Sequence, residues 1–507
     1  MAETQALKAY LARTKDIDAG MVAYVASLEK VADVAPEIAA KIVSELKDQR
    51  THLKLIASEN FSSLNSQLAM GNLFTDKYSE GYAYHRFYAG CDNVDAIEAY
   101  ACEKACLLFG AEHAYVQPHS GADANLVAYW AILHAKVQVP MLEELGITNP
   151  SDLSREQWDS VREKLGNQKI LGLDYYSGGH LTHGYRQNVS AQMFDAYSYS
   201  VDEGTGLLDY DEIEALAKEI RPLILLAGYS AYPRKIDFRR MAEIAHGVGA
   251  VFMVDMAHFA GLVAGKVFTG EFDPVPWADV VTTTTHKTLR GPRGGMILCK
   301  SEYADSVDKG CPLVIGGPLP HVMAAKAVSF AEALKPSFAT YAQKIVENSA
   351  ALAQACIDEG ITVATGGSDN HLMLLDVRHF GLNGRQAESA LRECGVTLNR
   401  NALPFDPNGP WYTSGLRIGT PAVTTLGMGI VEMCEIAAII ALVLKNTRPA
   451  LISKGANAGT LSKARFVTEE AAIEEARARV AALVSRFKLY PELDLAFLEE
   501  FFPLDKA

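Results

Sequence analysis

Short apolar runs that alternate with helical stretches fill the middle of the chain and limit its fold most strongly. The runs 114–117, 223–226, 251–254 and 280–284 are rich in apolar and β-branched residues, and each leads into a loop with Gly, Ser, His or Asp. Such runs, separated by helices, are typical of a mostly parallel sheet with helices on both faces. Ligand sites in these sheets lie at the carboxyl ends of the strands. We therefore expect functional residues directly after the runs.

The chain divides into three expected parts. Residues 1–70 are expected to form a helical arm, because apolar positions such as Ile38, Ile42 and Leu46 recur at helical spacing. This arm is expected to pack on the rest of the chain or on a second subunit. Residues 71–330 are expected to form the large domain, interrupted by a polar, helix-prone insertion at 134–168. Residues 331–507 are expected to form a smaller C-terminal domain.

Composition excludes several classes of protein. The 507 residues are 49% hydrophobic and 21% charged, as in an ordinary globular protein. The longest apolar run, 436–444, is too short to span a bilayer, and no secretory signal is evident, so we expect a cytoplasmic location. The net charge of −14 argues against general nucleic-acid binding. The eight cysteines form no CxxC pair and no cluster with histidine, so we expect reduced thiols and no metal site.

A β-branched run that ends in His286 and Lys287 carries the strongest chemical signal. The run 282–285 precedes these two residues, and a glycine-rich turn after them leads into another apolar run, 296–299. A lysine at a strand end in an enclosed site can lose its proton and attack an aldehyde. A surface lysine beside a hairpin would have the same local sequence, so this motif alone does not decide.

Two other strand ends carry polar groups that fit the same chemistry. Asp255 follows the apolar run 251–254, where a carboxylate could hold a protonated pyridine nitrogen, cap a helix or bind a metal. The small residues between Gln117 and Asn125 follow a strand and could let backbone amides bind a phosphate at a helix N-terminus. Lys287 lies 32 residues after Asp255. The order of phosphate loop, aspartate and lysine matches the fold-type I pyridoxal-phosphate enzymes.

The chain resembles the serine hydroxymethyltransferase family over nearly all of residues 53–444. The matching strings are Leu55-Ile-Ala-Ser-Glu-Asn60, Tyr78-Ser-Glu80-Gly-Tyr, Arg86-Phe-Tyr88-Ala-Gly-Cys91, Gln117-Pro-His-Ser-Gly121, Gly178-Gly-His-Leu-Thr-His-Gly184, Ser230-Ala-Tyr232, Val254-Asp-Met-Ala-His258, Thr282–Gly295, Gly316-Gly-Pro-Leu319 and Thr413-Ser-Gly-Leu-Arg417. The resemblance implies an α/β, fold-type I pyridoxal-phosphate-dependent transferase with a mostly parallel seven-stranded sheet in its large domain and a smaller α+β C-terminal domain. It also implies reversible transfer of the serine hydroxymethyl group to tetrahydrofolate, which gives glycine and 5,10-methylenetetrahydrofolate.

The resemblance further implies a role for each matching residue. The cofactor set is Ser120, Gly121, Asn125, His180, Ser230, Asp255, His258 and Lys287, with Gly316 and Gly317 of the partner subunit. The amino-acid set is Ser58 and Arg417, with Tyr78, Glu80 and Tyr88 of the partner subunit. The folate set is Tyr175, Gly179, His180, Leu181, Asn401, Gly409, Pro410 and Trp411. The catalytic set is Lys287, Glu80, Asp255, His180 and Tyr88.

Within these sets the expected chemistry is specific. Lys287 would carry pyridoxal 5′-phosphate covalently, and Asp255 would pair with its pyridine nitrogen. Arg417 would bind the carboxylate of the amino acid, a role that suits its planar fork. Glu80 would move the proton of the substrate hydroxyl. Because Tyr78, Glu80 and Gly316 would serve the site of a neighbouring subunit, a homodimer with shared active sites is expected. Whether two dimers pair into a tetramer stays open.

Three features depart from the usual family pattern, and two other functions stay open. Ala122 and Asp123 stand where the family usually has Ser and Gln, which places an acid beside a phosphate dianion. The 134–168 insertion precedes the expected folate loop, and Tyr175 and Trp411 are larger than usual. A folate-independent aldolase acting on 3-hydroxy amino acids would use the same cofactor geometry. A non-catalytic scaffold or RNA-binding relative would keep the fold but is expected to lose Lys287, Glu80 or Arg417.

Overall fold

A seven-stranded sheet is the largest element of the protein, which we describe from a computed structural model for residues 5–454 and 458–504. Its strands, in spatial order, are His113–Tyr115, Gly295–Cys299, Val280–Thr284, Val251–Asp255, Ile224–Gly228, Lys169–Leu173 and Asp195–Tyr199. The Gly295–Cys299 strand runs antiparallel to both neighbours, and the other described pairs are parallel. The predicted α/β fold with a mostly parallel seven-stranded sheet is confirmed.

Both faces of the central strands of this sheet are buried, which explains the continuous apolar runs in the sequence. In the Val251–Asp255 strand, Phe252 and Val254 belong to one core, and Val251 and Met253 belong to the core on the opposite face. Successive side chains of a strand point to opposite faces, so a strand covered on both sides needs apolar residues at every position.

Helices connect and cover the strands of this sheet. Before the antiparallel strand, the helices are Asp92–Phe109, Gly121–Leu133, Val139–Glu144, Arg155–Gly166, Ser190–Met193, Tyr210–Ile220, Phe238–Gly247 and Ala260–Ala264. After it, they are Ser301–Asp308, Gly310–Leu313 and Pro320–Ala333. Among the described helices, none combines the length and the apolar character that a membrane span requires.

A second, smaller sheet carries part of the site. Its strands, in spatial order, are Thr362–Val363, Leu372–Asp376, Gly415–Gly419 and Asn399–Asn401. Its flanking helices are Pro336–Asp358, Gly384–Glu393, Pro421–Thr425, Ile430–Lys445 and Glu470–Arg486. Three two-stranded pairs complete the described strands: Leu53–Lys54 with Val396–Thr397, Gly81–Tyr82 with His85–Arg86, and Thr447–Leu451 with Leu461–Thr468.

The N-terminal arm packs on the C-terminal end of the same chain. The helices Ala6–Arg13, Ala19–Ala32, Pro36–Thr51 and Leu64–Leu68 share a core with the Leu495–Phe501 helix and nearby residues. The predicted face of the third helix is wrong in part, because Ile38 and Ile42 are 55% and 38% exposed. Ala39 and Val43 are buried instead, since small side chains let neighbouring helices approach closely.

The 134–168 insertion is only partly a surface element. A π-helical turn, His134–Gln138, continues the preceding helix, and its Val137 belongs to the core on one face of the large sheet. Leu142 and Val161 of the following helices are also buried. The Arg155–Gly166 helix begins with a complete capping box, in which Ser154 and Gln157 bond each other's backbone N–H.

Candidate active site

A cavity of about 540 Å³ lies where the carboxyl edge of the large sheet meets the second sheet. The predicted residues that line it are Ser58, Tyr175, Gly179, His180, Leu181, Ser230, His258, Lys287, Asn401, Pro410 and Arg417. They come from both sheets and from the segment after the N-terminal arm. The structure therefore brings together residues that are more than 300 positions apart in the sequence.

Lys287 presents its amine to this cavity. It lies just after the Val280–Thr284 strand, and its Nζ makes no hydrogen bond or ion pair with any described residue. Burial lowers the pKa of Lys287 to about 8, with Asp255 acting in the opposite direction and Arg417 adding to the lowering. A substantial fraction of the amine is thus neutral, and hence nucleophilic, in mildly alkaline solution.

Asp255 forms the buried anionic part of the site. One carboxylate oxygen accepts the Ala257 N–H at 3.0 Å, and the other accepts the Asn125 amide at 2.9 Å and the His183 Nε2 at 3.2 Å. Burial alone would raise the pKa of Asp255, but the hydrogen bond and charge of His183, with His180, lower it below its ordinary value. This carboxylate therefore stays ionised near neutral pH.

His183 and Asn125 position Asp255. The role of His183 was missed from the sequence, although it lies in the matching string 178–184. Its Nδ1 accepts the His180 N–H at 3.4 Å, which leaves the proton on the nitrogen that faces Asp255. His180, His183 and Asp255 are the one cluster among the described residues with the spacing of metal ligands, but here they form a hydrogen-bonded chain.

His258 hydrogen-bonds to a second histidine, His371, for which no role was predicted from the sequence. His258 Nδ1 and His371 Nε2 are 3.1 Å apart, and both rings are buried. Burial lowers the pKa of His371 to about 3 and that of His258 well below its ordinary range. Both rings are therefore neutral at pH 7, and a single hydrogen lies between the two nitrogens.

Arg417 supplies an unneutralised guanidinium on the other side of the cavity. Its Nη1 donates to the Ser230 carbonyl at 2.7 Å, and its Nε donates to the Asn399 side chain at 3.2 Å. No carboxylate among the described residues pairs with it. Burial lowers the pKa of Arg417 to about 10, so it remains charged. A charged fork that is fixed on one side and open on the other is suited to a carboxylate ligand.

The segment before the Gly121–Leu133 helix forms a cradle of backbone donors. Ser120 is the N-cap, and its hydroxyl oxygen accepts the Asp123 N–H at 3.1 Å. Across the described residues, the N–H groups of positions 119–122 have no hydrogen-bond partner. A Cβ at Gly121 would lie 2.6 Å from Thr284, so glycine is required for this close packing. Successive free N–H groups at a helix N-terminus bind anions, above all phosphate.

Asp123 is turned toward Ser120. The Ser120 hydroxyl donates to the Asp123 carboxylate at 3.0 Å while it accepts the N–H of the same residue. Asp123, which stands where the family usually has Gln, therefore forms two hydrogen bonds with Ser120 at the start of the helix.

A separate group of predicted residues lies on the surface and does not line this chain's cavity. Tyr78 and Tyr88 are 58% and 44% exposed, with ring centroids 5.2 Å apart. The Tyr88 hydroxyl donates to Glu80 at 3.3 Å, and a Cβ on Gly317 would lie 3.3 Å from the Tyr78 ring. Gly316 adjoins this group in the sequence. The group forms one exposed, partly aromatic patch.

The remaining predicted residues lie at the rim of the cavity or just outside it. Pro410 lines the cavity, whereas Gly409 and Trp411 do not. Trp411 is 62% exposed and lies between the guanidinium groups of Arg385 and Arg400, each 5.5 Å from its ring.

Comparison with known proteins gives consistent matches along the chain. The family model described as serine hydroxymethyltransferase matches residues 31–146 and 163–440, so the unmatched stretch 147–162 falls inside the insertion. A serine hydroxymethyltransferase of Treponema pallidum (strain Nichols) is 63% identical over 499 residues, which is 98% of this chain and 86% of the relative. The enzyme of the same name from Salinispora tropica is 56% identical over 479 residues, covering 94% of this chain and 99% of the relative. That of Cutibacterium acnes is 54% identical over 475 residues, covering 94% and 96%.

Proposed function

The chain belongs to the serine hydroxymethyltransferase family, and we propose that its cavity holds pyridoxal phosphate at Lys287 and an amino acid at Arg417. It reversibly transfers the hydroxymethyl group of serine to tetrahydrofolate, which gives glycine and 5,10-methylenetetrahydrofolate. One observation carries the proposal. Within the described part of the chain, the Lys287 amine has no hydrogen-bond partner and the Arg417 guanidinium has no carboxylate partner, and both line one cavity near the ionised Asp255.

The residues present fit this cofactor. The free N–H groups at positions 119–122 suit its phosphate, the Lys287 amine suits its aldehyde, and Asp255 suits a protonated ring nitrogen. Nε2 of His119 and Nδ1 of His286 are buried and have no hydrogen-bond partner among the described residues. These two ring nitrogens are therefore available to bond a ligand close to the cradle and to Lys287. When bound, pyridoxal phosphate supplies a ring that withdraws electrons from the α-carbon of the amino acid.

The protein's own groups bind and orient the amino acid. Arg417 binds its carboxylate, and because Ser230 and Asn399 hold the guanidinium, the direction of the carboxylate is fixed. His180 and Ser58 line the same cavity and limit the space beside the α-carbon. His180 is neutral at pH 7, because burial lowers its pKa to about 4, so it offers an uncharged ring surface.

Glu80 of the partner subunit acts as the acid and base for the hydroxyl group of serine. It accepts the hydroxyl proton as the bond between the α- and β-carbons breaks, and it returns a proton in the reverse direction. We assign this role across subunits because the exposed Tyr78 and Tyr88, with the half-buried Glu80 and Gly317, form a surface patch that does not line their own chain's cavity. The proposed assembly is accordingly a homodimer with two shared sites.

Tetrahydrofolate enters from the rim. The proposed folate contacts are Tyr175, Gly179, His180, Leu181, Asn401, Gly409, Pro410 and Trp411. Most of these line the cavity beside Arg417, whereas Gly409 and Trp411 lie on the adjacent loop.

The proposal also includes the domain boundaries and the location of the protein. We keep the division into a 1–70 arm, a 71–330 large domain and a 331–507 small domain as a proposal, because each sheet has its own core. We also propose a cytoplasmic location, since all eight cysteines are free thiols, as is usual in a reducing compartment.

Conversion of serine to glycine in the presence and absence of tetrahydrofolate tests the function. We expect conversion to depend on tetrahydrofolate and on added pyridoxal phosphate. Conversion of 3-hydroxy amino acids at a rate indifferent to tetrahydrofolate would instead identify a folate-independent aldolase.

A further inference from the structure

Lys326 is a buried lysine that the proposed reaction does not use. It lies in the Pro320–Ala333 helix and is 1% exposed. Its Nζ donates three hydrogen bonds, to the carbonyls of Val116 at 2.6 Å, Pro118 at 2.9 Å and Gly295 at 2.8 Å. Lysines are almost never fully buried without compensation, so this placement needs an explanation.

The hydrogen-bond geometry fits a charged ammonium group. An ammonium has three N–H donors for the three carbonyls, whereas a neutral amine would turn its lone pair toward one of them. Burial lowers the pKa of Lys326 to about 7, while Cys102, Glu98 and Asp123 act in the opposite direction. Two of these three opposing groups are carboxyl groups, and Asp123 belongs to the cradle.

Two of the three carbonyls belong to the segment that leads directly into the cradle. In a planar trans peptide the carbonyl and the following N–H point in opposite directions. A Pro118 carbonyl held by Lys326 therefore turns the His119 N–H away from the lysine. The Gly295 N–H donates to the same carbonyl at 2.9 Å, which holds the peptide from a second side.

Glycines make room for this arrangement. A Cβ at Gly294 would lie 2.5 Å from Lys326 Cε, and a Cβ at Gly295 would lie 2.2 Å from the Ser120 carbonyl oxygen. The lysine, the glycine turn and the cradle therefore form one closely packed unit.

We propose that Lys326 is a positioning residue for the cofactor phosphate: its ammonium holds the 116–118 backbone so that the following N–H groups face the phosphate, and its charge offsets that of Asp123. This inference rests on the proposed function, because it requires pyridoxal phosphate at the cradle. It also explains how an aspartate is tolerated beside a dianion. Charges in a buried, low-dielectric setting interact more strongly than they would in water.

Comparing pyridoxal phosphate with pyridoxal, which lacks the phosphate, isolates the effect on the cradle. Both affinities are measured by absorbance titration of the cofactor-free full chain, with its thermal midpoint as a check of folding. For Lys326→Met we expect pyridoxal phosphate to bind about ten-fold more weakly or worse, because hydrogen bonds to a charged group are lost. The affinity for pyridoxal should change by less than about two-fold.

Ser329→Ala is the matched control. Ser329 is buried on the same helix and bonds Ser66 and Ala325, without contact to the three carbonyls. This variant should keep both affinities. If Lys326→Met does not fold, Lys326→Gln is used, because its amide keeps two N–H donors but carries no charge.

Each outcome decides the matter. If the Lys326 variants bind pyridoxal phosphate and pyridoxal equally more weakly, or bind both as the wild type does, Lys326 has no specific role at the phosphate. If both variants fail to fold, Lys326 is a purely structural residue. A wild-type chain that binds neither ligand would contradict the proposed function itself, whereas wild-type binding with unchanged Lys326 variants would contradict this inference alone.

Discussion

At the scale of single residues, the chemistry of the site comes from charged groups that lack their usual partners. Arg417 is held by two uncharged acceptors, and the Lys287 amine has no partner among the described residues, while the Asp255 carboxylate accepts from three donors. The first two groups are thus available to ligands, and the third is fixed as an anion. The difference arises because Asp255 ends a buried strand beside three donors, whereas the other two side chains face the cavity.

We expect Arg417→Lys to raise KM for serine by about 10- to 100-fold while changing kcat much less. A lysine keeps the charge but loses the planar fork that binds both carboxylate oxygens, and such charged hydrogen bonds contribute about 1.5–3 kcal/mol. Steady-state kinetics at saturating tetrahydrofolate measure this. Arg392→Lys, an exposed arginine paired with Asp48 on the surface, is the control and should change neither constant. An unchanged KM in Arg417→Lys would remove Arg417 from the substrate site.

The pH dependence of cofactor attachment should report the pKa of Lys287. The neutral amine is the nucleophile, and burial lowers its pKa from the ordinary 10.5 to about 8. The rate at which the cofactor-free chain takes up pyridoxal phosphate should therefore rise between pH 7 and 8 and level off above about pH 9. A rate that continues to rise toward pH 10.5 would show that burial does not lower the pKa of this amine.

Sequence reasoning named residues in or beside the cavity more readily than the residues that contact them from elsewhere in the chain. Lys287, Asp255 and Arg417 follow or occupy strands, where the position along a strand fixes the place of a side chain. His183, His371 and Lys326 act through contacts with residues far away in the chain, as in the bond between His371 and His258. No local pattern encodes such long-range contacts, so only the fold reveals them.

At the scale of elements, strand ends and helix starts determine where the site lies. The predicted run 280–284 is an observed strand with the same bounds, and the run 251–254 extends by one residue to include Asp255. Apolar content identifies such strands because both of their faces are buried. The same reasoning failed for the Pro36–Thr51 helix, where Ile38 and Ile42 are exposed, since hydrophobicity alone does not reveal which of two neighbouring faces packs more closely.

The start of the Gly121–Leu133 helix gives a prediction at this scale. Asp123→Asn should improve affinity for pyridoxal phosphate several-fold, because it removes a negative charge beside the phosphate. It should also lower the stability of the cofactor-free chain slightly, because an acid in the first turn of a helix contributes about 0.3–1 kcal/mol. Binding titration and thermal unfolding measure the two effects.

Glu156→Gln separates these two effects. Glu156 lies in the first turn of the Arg155–Gly166 helix, away from the cradle, so its loss should lower stability without changing cofactor affinity. If Asp123→Asn binds the cofactor no better than the wild type, the carboxylate does not repel the phosphate.

At the scale of the whole molecule, the site lies where the large sheet meets the second sheet. The large sheet supplies Lys287 and Asp255, and the second sheet supplies Arg417, so the cavity exists only when the two sheets meet. In the proposed homodimer, the exposed patch around Tyr78 would add a third contribution, because a second copy of the chain would bury its aromatic residues. Exposed patches of this kind mark interaction sites.

Subunit mixing tests the shared site. The variants Lys287→Ala and Glu80→Gln should each be nearly inactive. When the two are co-expressed, about half of the dimers contain one chain of each kind, and each mixed dimer has one intact site out of two. The mixture should therefore regain about a quarter of the wild-type activity. Lys287→Ala with Asp255→Asn is the control, since both residues serve the site of their own chain and no intact site can form. Activity that does not recover in the first pair would place Glu80 in the site of its own chain or outside any site.

The bond between Lys287 and the cofactor is the central claim, and borohydride reduction followed by peptide mapping tests it most directly. We expect reduction of the purified protein loaded with pyridoxal phosphate to fix the cofactor on the peptide that contains Lys287, and we expect no labelled peptide from Lys287→Ala. Label on another lysine in the wild type, or equal labelling of the Lys287→Ala variant, would contradict the account.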